Sequence, residues 1–263
     1  MFTTPAPRLP LACLMLCAWS HAHAQQDPDP SATAAWSASA TVVTQYVSRG
    51  FRQTWGKPAL QAGVDLVHPS GWSAGTWVSN VSDRYVENGA IEWDLYGGYG
   101  GTAGPVGYSL SAVLYRYPGA VIAATGTKFD YAELAAGLTY RSLYLKYNRS
   151  LTRDFFGIVD ARGTVYLDAG ANIAFGGAYT LNLHAGQGRV AGPGNGYWDW
   201  RDVKAGVTRS FADGWSAAAS YTRAYGATGA YDRYTTGVPD GAGRIAYSNP
   251  ARGTFVLSLA RTF

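Results

Sequence analysis

The chain has 263 residues, of which 14% are charged, and 21 basic against 17 acidic side chains leave a net charge of +4. That charge is small and scattered, with no run of like sign, which excludes a nucleic-acid-binding surface. With two cysteines in the whole chain, a disulfide-stapled secreted scaffold is excluded as well.

Arg8 is the only charge ahead of an apolar run over residues 11–19, and Ala22-His23-Ala24 precedes Gln25. This pattern predicts a secretory signal peptide over residues 1–24, cleaved after Ala24. The run is too short for a membrane-spanning helix, which needs roughly 20 residues. Cys13 and Cys17 both lie in this leader, in surroundings poorly suited to lipid attachment, so the exported chain has no cysteine. Residues 25–35 hold Pro, Asp and Ser without periodicity and read as a flexible lead-in. Residues 36–263 are long enough for one β domain.

From Trp36 onward apolar residues recur at every second position, the period of a half-buried strand. In the first stretch Trp36, Ala38, Ala40, Val42, Thr44 and Tyr46 alternate with Ser37, Ser39, Thr41, Gln45 and Arg49. Twelve such stretches are expected: 36–49, 58–68, 71–81, 91–100, 106–117, 129–140, 143–151, 163–175, 178–188, 200–211, 214–225 and 253–263. Alternate connections are short, as at His68-Pro69-Ser70-Gly71, Arg141-Ser142, Gly176-Gly177 and Ala212-Asp213-Gly214. The others are longer, and the longest covers 226–252. Short turns at one end and long loops at the other predict a transmembrane, antiparallel up-and-down β-barrel of about twelve strands, both termini on the periplasmic side.

The two parities differ chemically. Trp72, Tyr99, Tyr108, Tyr140, Phe175, Tyr179, Phe211, Trp215 and Phe263 fall on the outward parity beside the short turns, the position of an aromatic girdle. Aliphatic residues such as Leu143, Leu145, Leu181, Leu183, Val203 and Val207 follow on the same face. The opposite parity collects the candidate pore-lining residues Gln61, Asp65, Glu92, Asp94, Tyr96, Tyr115, Tyr131, Glu133, Lys146, Asp168, His184, Asp202 and Lys204, with Arg49 at the end of the first stretch. A water-soluble barrel would have to bury most of these charges at several kcal/mol each unless paired.

The last stretch places Phe255, Leu257, Leu259, Arg261 and Phe263 on one parity. A barrel leaves no unpaired edge in hydrocarbon, so this strand must pair with the first. Its terminal aromatic resembles the signal read by barrel-assembly machinery.

Several local motifs carry a resemblance. They are Tyr46-Val47-Ser48-Arg49-Gly50, Pro58-Ala59-Leu60-Gln61-Ala62-Gly63-Val64-Asp65, Gly71-Trp72-Ser73-Ala74-Gly75-Thr76-Trp77, Glu92-Trp93-Asp94-Leu95-Tyr96-Gly97-Gly98-Tyr99 and Tyr115-Arg116-Tyr117-Pro118-Gly119. Together they resemble the TorF-type porin family of proteobacteria. The resemblance implies an outer-membrane barrel with porin-like activity; it says less about the solute.

The interior charges allow two readings: a charged constriction that selects small solutes, or ion pairs that hold the wall, as Asp202 and Lys204 would if they neutralised each other. Inward tyrosines (Tyr96, Tyr115, Tyr117, Tyr131, Tyr144, Tyr166) fit either a stacking track for ring-bearing solutes or space filling. Arginines near the long loops, Arg149, Arg189 and Arg252 among them, suit the phosphates of outer-leaflet lipopolysaccharide. The 226–252 loop reads equally as an inward constriction or a free tip. An enzyme is not expected: the exported chain has two histidines, His68 and His184, no Gly-x-Ser-x-Gly elbow and no Cys/His metal cluster, and it implies no cofactor. The expected function is passive diffusion of small hydrophilic solutes. The alternatives are a plugged structural or adhesive barrel and, behind it, a barrel enzyme.

Overall fold

A computed structural model describes residues 33–263; the leader and residues 25–32 of the lead-in lie outside the described residues. Twelve long strands close into one antiparallel barrel. They are β1 (Ala35–Val43), β2 (Ala59–Val67), β3 (Trp72–Asn80), β4 (Ile91–Ala103), β5 (Val106–Arg116), β6 (Tyr131–Tyr140), β7 (Leu143–Ser150), β8 (Val165–Phe175), β9 (Tyr179–Arg189), β10 (Trp200–Ser210), β11 (Trp215–Gly226) and β12 (Thr254–Thr262). Each pairs with its chain neighbours, and β1 closes the circle, pairing with β2 from Ala35↔Val67 to Val43↔Ala59 and with β12 from Ser39↔Thr262 to Val43↔Ser258. Closure removes the free edges, whose unsatisfied amides would each cost several kcal/mol in hydrocarbon.

All twelve expected stretches form strands. The first departs most from its expected limits: β1 stops at Val43 rather than at residue 49. Beyond it, Val47↔Arg52 and Ser48↔Phe51 pair as a separate hairpin. Its two turn residues, Arg49 (φ 48°) and Gly50 (φ 83°), both adopt left-handed backbone conformations. That is the signature of a tight two-residue turn, in which a straight strand cannot continue. Tyr46, expected on the lipid face, is instead buried inside. The 226–252 connection hides no further barrel strand. It holds a 3-10 turn, Gly229–Tyr231, and isolated bridges Tyr234↔Ser248 and Pro239↔Ile245.

The outer wall is apolar. Leu60, Leu110, Leu138, Leu143 and Leu257 are exposed on it, as are the girdle residues Trp72, Tyr99, Tyr108, Tyr140, Phe175, Phe211, Trp215 and Phe263, while Tyr179 is half-buried. Cations sit over these rings at the short-turn end: Arg209 lies 4.7 Å from the Phe211 ring centre and Arg261 4.7 Å from that of Phe263. A ring edge facing the interface and a guanidinium reaching to water is the arrangement of a membrane boundary. The interior of the short-turn half carries small residues, such as Ser73, Ser109, Ser111, Gly137 and Ser258, whereas the long-loop half is filled by large side chains.

Candidate functional site

Thirteen of the fourteen sequence-derived candidates project inward from the barrel wall. Gln61 and Asp65 lie on β2, Glu92, Asp94 and Tyr96 on β4, and Tyr115 on β5. Tyr131 and Glu133 lie on β6, Lys146 on β7, Asp168 on β8, His184 on β9, and Asp202 and Lys204 on β10. Arg49 is the exception, because it sits at the tip of the hairpin and not on the wall.

That hairpin folds into the lumen and reaches walls on several sides. Arg49 grips Glu133 of β6 through two parallel bonds of 2.9 and 2.5 Å, and its guanidinium lies 4.5 Å from the Tyr166 ring centre on β8. The side chains of Arg49 and Glu133 are 10% and 1% exposed. Such a fork-to-fork pair fixes position as well as charge. Gly50 rests against β10 and β11 so closely that a Cβ there would meet Asp202 Cβ at 2.6 Å and Ala224 Cβ at 2.7 Å.

Above the hairpin the long loops close over the mouth. The Phe51 ring contacts Trp200 at 5.5 Å, Tyr231 at 4.6 Å and Tyr85 at 6.3 Å. Phe155 packs on Tyr131 at 4.6 Å, and Phe156 on Tyr117, Phe129 and Tyr85 at 5.5, 5.2 and 5.6 Å. Tyr234 donates to the Tyr85 carbonyl at 3.1 Å, and Arg52 N–H donates to the Pro250 carbonyl at 3.0 Å. Burial raises the phenol pKa of Tyr85, Tyr231 and Tyr234 above the usual value. The 226–252 loop is thus a lid on the hairpin, and the first loop supplies the constriction. The inward tyrosines do not form an open track: Tyr115 and Tyr131 stack on each other at 4.3 Å, and Tyr166 stacks on Trp200 at 5.7 Å.

Below Gly50, His184 is clamped between two carboxylates. Its Nδ1 lies 2.8 Å from Asp168 and its Nε2 2.6 Å from Asp202, while Tyr166 donates to Asp202 at 3.0 Å. The ring can donate to both only when it carries both protons. Room for these rings comes from β9: a Cβ at Gly186 would fall 2.1 Å from the Tyr166 hydroxyl, and one at Gly188 2.3 Å from Trp200. Asp202 therefore spends its charge on His184 and not on Lys204, two residues along its own strand. Among the described residues, the bonded partners of His184 are two carboxylates and two phenols, an arrangement suited to holding charge in a wall and not to activating a nucleophile.

The acids on β4 are arranged differently. Glu92 is 3% exposed and Asp94 9%, neither belongs to a described ion pair, and Glu92 Oε2 and Asp94 Oδ1 each lack a hydrogen-bond partner in the protein. Asp65, nearer the short turns, accepts from Tyr96 at 2.6 Å. The lumen thus runs from a polar vestibule at the short-turn end, past an acid-rich middle, to a hairpin-and-lid closure.

A closed, lipid-facing barrel of twelve strands with a charged interior and an infolded first loop defines a protein of porin-like architecture. The chain belongs to the family described as "Bacterial protein of unknown function (Gcw_chp)", whose model matches residues 27–263. In fold it is similar to the KdgM porin, at 7% identity and a TM-score of 0.52 over 86% of this chain and 99% of that one. The same values hold for the KdgM porin in complex with disordered oligogalacturonate. The NanC porin matches at 8% identity and a TM-score of 0.50 over 87% and 99%. No curated protein matches the sequence. None of these matches carries the TorF name.

Proposed function

We propose that this protein is a porin-like channel of the outer membrane that passes small hydrophilic solutes by diffusion through a lumen narrowed by its first loop. The observation that carries the reading is the polar interior of a lipid-facing barrel, continuous from the short-turn end to the Arg49 hairpin. The likeness in fold to the KdgM and NanC porins and the TorF-type motifs support it. In this reading the leader directs export, the strand ending at Phe263 engages the barrel-assembly machinery, and the short turns and termini face the periplasm. Lipopolysaccharide surrounds the long-loop end. No catalytic role is assigned to His184 or Glu92.

The interior acids set the preferred solute. Asp65, Glu92, Asp94, Glu133, Asp168 and Asp202 outnumber Arg49, Arg52, Lys146, Lys204 and His184. Charged rings select by sign, so small cations and zwitterions are favoured over polyanions such as the oligogalacturonate named for the KdgM complex. Planar-bilayer recording across a salt gradient tests this: cation-selective steps are expected, whereas anion-selective steps would refute it. A second reading, a plugged structural barrel, rests on the aromatic packing of Phe51, Tyr85 and Tyr231 over the mouth; it predicts no steps from a correctly folded barrel.

A further inference from the structure

The barrel wall has a notch at its long-loop end. β11 and β12 pair only from Trp215↔Arg261 to Thr222↔Thr254. Above Thr222, β11 continues to Gly226, but the chain that leads into β12 bends inward. Pro250 accepts from the hairpin at Arg52 N–H, and Ala251 accepts from Ala224 N–H at 2.9 Å. The bend leaves a cleft of about 240 Å³ lined by Arg223, Tyr225, Thr228, Asp232, Asn249 and Arg252, among other residues.

Positive charge collects at this cleft. Arg223 and Arg252 stand on its lining and are exposed. Arg201 on β10 is directly opposite Tyr225 in the β10–β11 register. Arg201 and Arg223 are therefore diagonal neighbours on the outward face, about 7–8 Å apart at the backbone. None of the three arginines belongs to a described ion pair. Two acids lie nearby: Asp232, on the lining itself, accepts from its neighbour Asn249 at 3.1 Å, and Asp199 accepts from the Val190 amide at 2.7 Å, so the three arginines outnumber them. Directly below on the same outward face lies apolar surface, with Phe255 75% exposed, Leu257 57% exposed, and Tyr221 packed on Phe255 at 5.1 Å.

An exposed group of guanidinium forks at the upper margin of a lipid-facing wall matches one chemistry: an anionic phosphate head joined to acyl chains that continue down the belt. We infer that the notch between β11 and β12 is a docking site for a phosphate-bearing lipid of the surrounding leaflet, its phosphate held by Arg201, Arg223 and Arg252 and its chains lying on Tyr221 and Phe255. This rests on the membrane placement proposed above, but not on whether the lumen conducts.

The test uses the folded full barrel in nanodiscs of phosphatidylcholine doped with phosphatidic acid, with bound lipid counted by native mass spectrometry after release into detergent. Wild type is expected to retain one phosphatidic acid, and the Arg201→Gln/Arg223→Gln/Arg252→Gln variant to retain it at least 10-fold less. Diacylglycerol, which lacks the phosphate, is expected to be lost from both. A Leu145→Ala variant on β7, away from the notch, controls for general loss of lipid contact and is expected to retain it as wild type does. Equal retention by wild type and the triple variant overturns the site. So does full displacement of the lipid by millimolar inorganic phosphate, which would mark a simple anion site. Failure of the barrel to insert into nanodiscs at all would overturn the membrane placement, and this inference with it.

Discussion

Replacing Glu133 with glutamine removes the charge that holds the first-loop hairpin across the lumen. The pair it breaks is bidentate, with its acid almost fully enclosed. Removing one partner of a buried pair costs about 3–5 kcal/mol, mainly because the other charge is left uncompensated. Arg49 keeps its contact with the Tyr166 ring and lies in electrostatic reach of Glu92 and Asp94, so the lower end, about 3 kcal/mol, applies. A loss of that size shifts the balance between docked and released hairpin roughly 100-fold towards release. The strand ladders of the wall do not involve this bond, so heat-modifiable migration of the barrel is expected to stay unchanged. Single-channel recording reads the effect as a large increase in the frequency of high-conductance openings. The charge-swapped Arg49→Glu/Glu133→Arg pair is expected to restore part of the closure. Unchanged open frequency in Glu133→Gln, with a barrel that is folded, would refute the claim that this pair latches the hairpin.

Three further outcomes follow from the same geometry. Gly50→Val places a branched side chain at φ 83° and a Cβ within 2.7 Å of Asp202 and Ala224, so the hairpin cannot seat; conductance rises as in Glu133→Gln, and a closed, unaltered channel would contradict the seating. His184→Leu leaves Asp168 and Asp202 without their shared partner; about 3 kcal/mol of barrel stability is lost and the reversal potential moves further towards cations, whereas an unchanged melting profile would show the clamp to be unimportant. The buried phenols over the mouth, Tyr231 and Tyr234 of the lid and Tyr85 of the loop it packs on, titrate above the unfolded value of about 10. Groups whose folded pKa is raised contribute stability that is fully present below pH 10 and is lost as pH rises beyond it. The lid is therefore expected to hold through pH 9 and loosen above about pH 10, read as rising conductance; loosening by pH 8 would point to another group.

The barrel itself was legible in the sequence because one physical constraint acts along its whole length. Lipid on one face and a polar lumen on the other impose a two-residue period, so the sequence alone places twelve alternating stretches, their girdle aromatics and the inward acids. The hairpin was not legible for the same reason. Gln45 and Arg49 keep the polar parity of β1 and so carry the expected stretch through to residue 49, although Val47 and Ser48 already reverse the alternation where the hairpin begins. The available signal was Arg49-Gly50, a residue-plus-glycine pair of the kind that closes two-residue hairpins. The His184 clamp was half legible. Parity put Asp168, His184 and Asp202 on one face, but their convergence depends on the register of β8, β9 and β10, in which Gly186 faces both Asp168 and Asp202. Two residues apart on one face, Asp202 and Lys204 read from the sequence as one alternative pair.

A conducting lumen narrowed by the first loop is the function that the polar interior and the infolded hairpin support together. It is tested most directly by recording from the refolded protein in planar bilayers beside a variant in which residues 47–52 are replaced by a Gly-Gly turn. Small, cation-selective steps are expected for the natural chain and severalfold larger steps for the shortened loop. No current from either protein, both folded and inserted, would contradict the channel reading and leave a plugged barrel in its place.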